Sequence, residues 1–189
     1  MKMSRPTSFY EIELKALLSK EKHDRLYNRL PKKMKLINEE TIHTTRYRPG
    51  DIRLRHSIKT TEIVCKEGDP TKISRKEVKI PLVSKDRLNY FAQIFELLNL
   101  QPDPPWTKHK REFEYKFNGH TYIVCIQNIE NFAYILEVEH ISKTNDVKTH
   151  EPNIRAILKQ LGCKPIEPKD FLGRIQSYIK ANRYRKRQY

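Results

Sequence analysis

The stretch Phe9-Tyr10-Glu11-Ile12-Glu13-Leu14-Lys15 alternates charged and apolar side chains, and Leu136-Glu137-Val138-Glu139 repeats the pattern near the other end of the chain. Successive side chains of a β-strand point to opposite faces. Each stretch therefore sets its acids on one face and its apolar residues on the other. Two carboxylate pairs on two strands form a donor set suited to a hard divalent cation such as magnesium or manganese.

The same alternation recurs between these two stretches. Arg53 and Arg55 oppose Ile52 and Leu54; Glu62 and Lys66 oppose Ile63 and Cys65; Arg75, Glu77 and Lys79 oppose Val78 and Ile80. One such strand is ordinary for an antiparallel sheet with a wet face. Five strands whose polar face is almost wholly Glu, Arg and Lys are different. Closing the sheet with that face inward makes a tunnel lined with cations around one acid cluster.

Turn signals divide the chain into eight strands: 9–17, 40–47, 51–57, 61–66, 73–81, 107–117, 120–127 and 132–141. Asn118-Gly119 is a strong hairpin signal. Helices are expected over 20–30 after Ser19, over 85–98 capped by Ser84, over 151–161 ending at Gly162, and over 168–182 from Pro168. The expected fold is α+β: a closed eight-stranded antiparallel β-barrel with flanking helices. Residues 1–182 read as one tunnel domain and 183–189 as a basic tail.

The chain of 189 residues carries 38 Lys and Arg against 23 Asp and Glu, a net charge of +15. That excess favours polyanionic partners such as nucleic acid or polyphosphate. Ten Tyr and seven Phe with few Gly argue against a disordered chain. No apolar run approaches the roughly 18 residues that span a bilayer, and no apolar leader segment is visible, so the expected setting is cytoplasmic. Cys65, Cys125 and Cys163 are odd in number and lack metal spacing. Cys65 and Cys125 read as small buried thiols of a reduced compartment. The histidines, among them His43, His56, His109, His120 and His140, lack a paired metal motif and read as surface or packing residues. Trp106, after two prolines, reads as an apolar plug. There is no Gly-rich phosphate loop.

Read along the chain, these motifs resemble the CYTH superfamily, also called triphosphate tunnel metalloenzymes. Glu11-Ile12-Glu13-Leu14-Lys15 is similar to its Glu-x-Glu-x-Lys signature, Ile52-Arg53-Leu54-Arg55 to its Leu-Arg-x-Arg strand, and Lys66 to its Lys-Gly strand. Arg75-Lys76-Glu77 resembles its Arg-x-Glu strand, Lys110-Arg111 its mid-chain basic strand, and Glu137-Val138-Glu139 its late Glu-x-Glu. The elements fall in family order across residues 9–141.

The resemblance implies a magnesium- or manganese-dependent enzyme that hydrolyses tripolyphosphate, nucleoside triphosphates, thiamine triphosphate or RNA 5′-triphosphate ends. Alternatives are a class IV adenylyl cyclase making cyclic AMP from ATP, and a non-catalytic module that grips polyphosphate or RNA ends. It implies metal ligands Glu11, Glu13, Glu77, Glu137 and Glu139, and phosphate contacts Lys15, Arg53, Arg55, Lys66, Arg75, Lys110 and Arg111. Glu11, Glu13, Lys15, Glu137 and Glu139 would carry the chemistry. The expected partner is a triphosphate compound or an RNA end, with non-specific RNA contact through the basic surface, no membrane, and a monomer or homodimer. Two departures stand out. Gln127, beside Asn128, occupies a place where the family often has Asp, and the turn Glu130-Asn131-Phe132-Ala133 lacks the usual glycines. Strand parity also sets Lys108 and Lys110 on one face and Arg111 on the other, unless a bulge intervenes.

Overall fold

Parity decides which residues of β1 (Thr7–Leu18) meet water and which meet the core. Ile12, Leu14 and Ala16 are buried on its outer face, whereas Glu11, Glu13 and Lys15 face the lumen. In this computed structural model, which describes residues 7–183, the chain continues through α1 (Lys20–Arg29), β2 (Lys35–Arg48), β3 (Ile52–His56), β4 (Thr61–Glu67), β5 (Ser74–Pro81) and α2 (Asp86–Leu97). A two-residue β6 (Gln101–Pro102), then β7 (Trp106–Phe117), β8 (His120–Ile129), β9 (Ala133–Ser142), α3 (Val147–Gln160) and α4 (Pro168–Asn182) follow. Of the expected basic tail, residues 184–189 lie outside the described part.

The strands run in the order β3-β4-β5-β1-β9-β8-β7-β2, and β2 pairs again with β3 from His43↔His56 to Tyr47↔Ile52. Eight antiparallel strands thus form a ring of hydrogen bonds, and β6 adds only to the end of β2. The expected eight-stranded tunnel architecture is present, with the four helices outside it.

Because the lumen is charged, the apolar cores lie outside the ring. The larger one joins Ile12, Leu14, Val124, Leu136 and Val138 of the wall to Leu26 of α1 and to Ile154, Ile157 and Leu158 of α3. A smaller one joins Tyr47, Leu54 and Ile63 to Leu88, Ala92 and Phe95 of α2. Within the larger core, the Tyr122 hydroxyl is 3.0 Å from His150 Nδ1 and accepts from Asn153 at 2.8 Å, which gives the polar groups under α3 their partners.

Several element boundaries differ from the expectation, each for a local reason. β2 begins five residues early, because a bulge between Leu36 and Asn38 interrupts its alternation and hides its first residues from a period-two reading. α3 begins at Val147 rather than 151, since Asp146 accepts from the Thr149 amide at 3.2 Å and starts the helix ahead of Pro152. α1 is capped as expected, Ser19 Oγ accepting from the Lys22 amide at 3.2 Å. Ser84 does not cap α2 with its side chain; its carbonyl receives the Arg87 amide instead. Asn118 and Gly119 adopt φ of 49° and 77°, the backbone of a tight hairpin turn. Cys125 is buried, but Cys65 is exposed, contrary to expectation.

Candidate active site in the tunnel lumen

The pairing register of β1 with β9 sets Glu13 opposite Glu139 and Lys15 opposite Glu137. These side chains share the lumen face, and Glu11 lies one lumen step along β1. Glu11, Glu13 and Glu139 each offer an oxygen within 4.8 Å of the others. No other such His, Cys, Asp or Glu group occurs among the described residues. Three carboxylates at this spacing, Glu11 and Glu139 buried and Glu13 half-buried, form an all-oxygen donor set that fits a hard divalent cation.

Their electrostatics differ within the cluster. Burial pushes the Glu139 carboxyl well above the ordinary range, and the neighbouring Glu11 and Glu137 push it further. Burial also raises Glu13, more than the adjacent Lys15 and Lys66 lower it. Glu11 goes the other way: burial opposes its ionisation, but its ion pair with Lys66 outweighs that and holds the carboxyl low. Glu13 and Glu139 therefore hold a proton more readily than an ordinary carboxyl, and a cation bound among the three would compete with it.

Two of the acids expected as metal ligands are not brought into this group. Glu137 lies 2.9 Å from Lys15 Nζ and accepts from Gln127 Nε2 at 3.3 Å. Burial disfavours its charge, but Lys15 and Lys108 hold it ionised. Glu77 is almost fully buried and pairs with Lys66 at 3.1 Å and Lys79 at 3.0 Å. It shares the lumen face of the wall with Lys66, its cross-strand partner, and lies covered beneath these lysines. Gln127 is also buried, and serves as a neutral donor to Glu137.

Cations line the remainder. Arg53 and Arg55 on β3, Lys66 on β4, Arg75 on β5, and Lys108 and Lys110 on β7 all reach the lumen. Asp51, which no motif in the sequence singled out, organises two of them. It receives Arg53 Nε at 2.7 Å and Arg53 Nη2 at 2.8 Å, and Arg75 Nη1 at 2.7 Å. Burial would raise its carboxyl, but the two guanidinium groups hold it far below the usual range. Arg75 keeps a buried Nε donor with no hydrogen-bond partner among the described residues. Arg55 touches Glu62 only at 3.5 Å. Lys108 makes no salt bridge among the described residues, and burial lowers its ammonium. Cations outnumber acids along the lining, and several donors lack a protein acceptor. That is the surface an anion with many oxygens requires.

Arg111 is not part of the lumen. No bulge shifts β7 against β8, so Arg111 points outward. Its guanidinium lies 3.7 Å from the centre of the Tyr27 ring and binds Glu39 at 2.7 Å. Parity in Trp106-Thr107-Lys108-His109-Lys110 already identifies Lys108 and Lys110 as the inward pair. Arg46, paired with the buried Asp103 at 2.5 Å, is a further lumen cation that the motif reading missed, since its strand alternates poorly.

Solved structures share this architecture. A protein of Pyrococcus horikoshii superposes with a TM-score of 0.69 at 17% identity, over 89% of this chain and 99% of its own. A candidate adenylate cyclase of Vibrio parahaemolyticus gives 0.61 at 12%, over 82% and 90%. A Hippeastrum protein named as an adenylyl cyclase candidate, and described with a dominant triphosphatase activity, gives 0.57 at 10%, over 84% and 90%. The chain has the CYTH, or triphosphate-tunnel, fold. No family model and no curated protein matches the sequence. The fold is thus shared at an identity where overall sequence comparison finds nothing. No helix among the described residues is long and apolar enough to cross a membrane.

Proposed function

We propose that the protein is a divalent-metal-dependent triphosphate hydrolase. The observation that carries this reading is the convergence of Glu11, Glu13 and Glu139 within 4.8 Å, inside a lumen otherwise dominated by Arg and Lys. Carboxylates and phosphates repel each other, and a divalent cation between them removes that conflict. Glu11, Glu13 and Glu139 would hold the ion, which when bound supplies Lewis-acid neutralisation of phosphate charge.

The chain's own residues do the rest. Arg55, Lys108 and Lys110 bind phosphate oxygens. Arg53 and Arg75, set in place by Asp51, present donors fixed before substrate arrives, so little reorganisation accompanies the reaction. Lys66 and Lys15 keep Glu11 and Glu137 ionised. Water attacks the terminal phosphorus in line; a P–O bond to water forms as the anhydride P–O bond breaks, without a covalent enzyme intermediate. On this reading the enzyme works in the cytoplasm, as a monomer or homodimer, on a triphosphate compound or an RNA end.

A phosphate-release assay on tripolyphosphate, ATP and triphosphorylated RNA, with magnesium or manganese and with chelator, tests it. Metal-dependent phosphate release is expected. Release of pyrophosphate with cyclic AMP from ATP would establish cyclisation instead, the activity for which some fold relatives are named. Tight binding without turnover would establish a binding module.

A further inference from the structure

We infer that the tunnel is blind: a phosphate chain enters only at the mouth beside α4, and Asn38, Glu40 and Glu112 stop it short of the opposite mouth. The protein then holds phosphate chains by their ends and cannot be threaded by them. This deepens the triphosphate reading and rests on it.

Antiparallel pairing puts the turns at 49–51, 68–73 and 130–132 at one mouth and those at 57–60 and 118–119 at the other. The cavity is lined from all three turns of the first mouth, by Asp51, Pro70, Lys72 and Phe132, and from neither turn of the second. α4 lies beside the first mouth. There the Ile166 amide donates to the Lys15 carbonyl at 2.8 Å, and the Phe171 ring lies 5.9 Å from that of Phe132. Toward the second mouth the lining reaches Glu11, Glu112 and Glu139. The next lumen positions on those strands, Phe9, Glu114 and Ile141, do not line the cavity. It opens toward one mouth only.

Lumen charge changes in the same direction. From the first mouth toward the second, the lumen face of β2 reads Arg46, Thr44, Ile42, Glu40, that of β4 reads Lys66, Val64, Glu62, and that of β7 reads Lys108, Lys110, Glu112. Arg55 and Lys79 also lie toward the far side, but they face Glu62 at 3.5 Å and Glu77 at 3.0 Å. A polyanion is thus drawn in at one end and repelled at the other.

The acids of this floor are fixed in place. The β2 bulge between Leu36 and Asn38 brings Asn38 opposite Glu112. Asn38 Nδ2 donates to Glu40 at 2.7 Å and to Glu112 at 2.8 Å, and Ser57 Oγ donates to Glu40 at 2.7 Å. Lys110 Nζ, the last cation of its row, lies 2.7 Å from Glu112 and 3.4 Å from Glu40. Lys59 Nζ meets the amide oxygen of Asn38 at 3.2 Å rather than either acid. Two carboxylates therefore share one ammonium. Burial opposes the Glu40 charge, but Ser57, Asn38 and Lys110 hold its carboxyl below the ordinary range. No third acid joins them to make a donor group like that of Glu11, Glu13 and Glu139. A phosphate advancing past Lys110 would meet these charges with no metal between.

Linear polyphosphates of graded length distinguish end-binding from threading. Calcium, a hard cation that takes the same oxygen ligands, replaces magnesium, and sedimentation velocity counts proteins per chain. Only complexes displaced by tripolyphosphate are counted, which sets aside salt-sensitive contact with the basic surface. One protein per chain end, two per chain, is expected at every length; a count that grows with length overturns the inference. With magnesium, the products should be orthophosphate and chains shortened from their ends, and fragments of intermediate length would equally sink it. Glu40→Ala combined with Glu112→Ala should open the floor and raise the count above two on long chains. A variant that is folded by circular dichroism and still binds two per chain would remove these acids from the role. The single Glu112→Ser, at a half-buried position, serves the same comparison if the double variant does not fold. Two proteins per chain without phosphate release would keep the blind tunnel and sink the hydrolase reading. Phosphate release with a count that grows with length would do the reverse, and no displaceable binding at all would sink both.

Discussion

One side of the tunnel wall, made of β1, β9 and β8, carries the acids and rests on the large core under α1 and α3. The other, made of β3, β4 and β5, carries Arg53, Arg55, Lys66 and Arg75, and its smaller core lies under α2. Glu11, Glu13 and Glu139, the proposed metal ligands, project from strands fixed on their far face by Ile12, Leu14 and Val138, all essentially inaccessible to water, and such fixing is what metal ligation would need. The proposed phosphate contacts are long side chains that adapt, and the order of Arg53 and Arg75 comes from within the lumen, through Asp51. The two walls reach definition by different means: apolar packing behind one, ion pairing across the other.

The largest effect should come from breaking the acid wall. Glu139→Gln should lower metal-dependent turnover by ~100-fold or more, because a charged ligand is lost where cation neutralisation is worth several kcal/mol. Circular dichroism should show an intact fold, and raised manganese should restore part of the rate. Unchanged turnover at limiting metal would remove Glu139 from the ligand set.

The support behind that wall comes next. Leu158→Ala on α3 should destabilise the protein by about 2–5 kcal/mol in denaturant unfolding. Leu88→Ala on α2 should cost less, since the smaller core can relax around the change. Equal losses would contradict the asymmetry.

On the cationic side, Arg55→Ala should weaken substrate binding by about 1.5–3 kcal/mol, read as roughly a 10–100-fold rise in KM, with Tm almost unmoved. Asp51→Asn should loosen both Arg53 and Arg75 and lower kcat as well as raise KM. A change in Tm alone would make Asp51 structural only.

The smallest effect is one of pH. The folded Glu139 and Glu13 carboxyls titrate above their ordinary value of 4.5. As pH rises past that value, the unfolded chain gives up protons that the folded one retains, so this pair contributes stability that is lost through the raised range. Melting of metal-free protein should show that loss, magnesium should reverse it, and metal affinity should climb with pH as protons leave. Glu139→Gln should flatten the slope; an unaltered slope would assign it elsewhere.

Much of this architecture was legible in strand parity. Glu11, Glu13, Arg53, Arg55 and Lys66 face the lumen because period-two alternation cannot place them elsewhere once Ile12, Leu14 and Leu54 are buried. Parity also separated Lys108 and Lys110 from Arg111, although family likeness had grouped Lys110 with Arg111. Proximity was not legible. Nothing in Glu137 or Glu77 announces that Lys15 and Lys66 will claim them, since those pairings depend on cross-strand register. Nor does Asp51, in Pro49-Gly50-Asp51, differ locally from any turn aspartate; its role exists only once β3 and β5 are folded. α4 was found by its helical pattern, but its position over the mouth depends on the Ile166–Lys15 bond, which no local rule contains.

The two-faced character of β1 has a consequence for how such a chain can vary. Substitution on either face alters one environment at a time, either lumen chemistry or outer packing. Insertion or deletion does not. One residue gained between Ser8 and Glu11 and absorbed by a slip in pairing would swing Ile12 and Leu14 into the lumen and drive three charged side chains against α3. Related chains should therefore keep strand lengths in step, and changes in length should gather in the turns at 57–60 and 68–72, short of Ile73, whose carbonyl accepts the Glu13 amide.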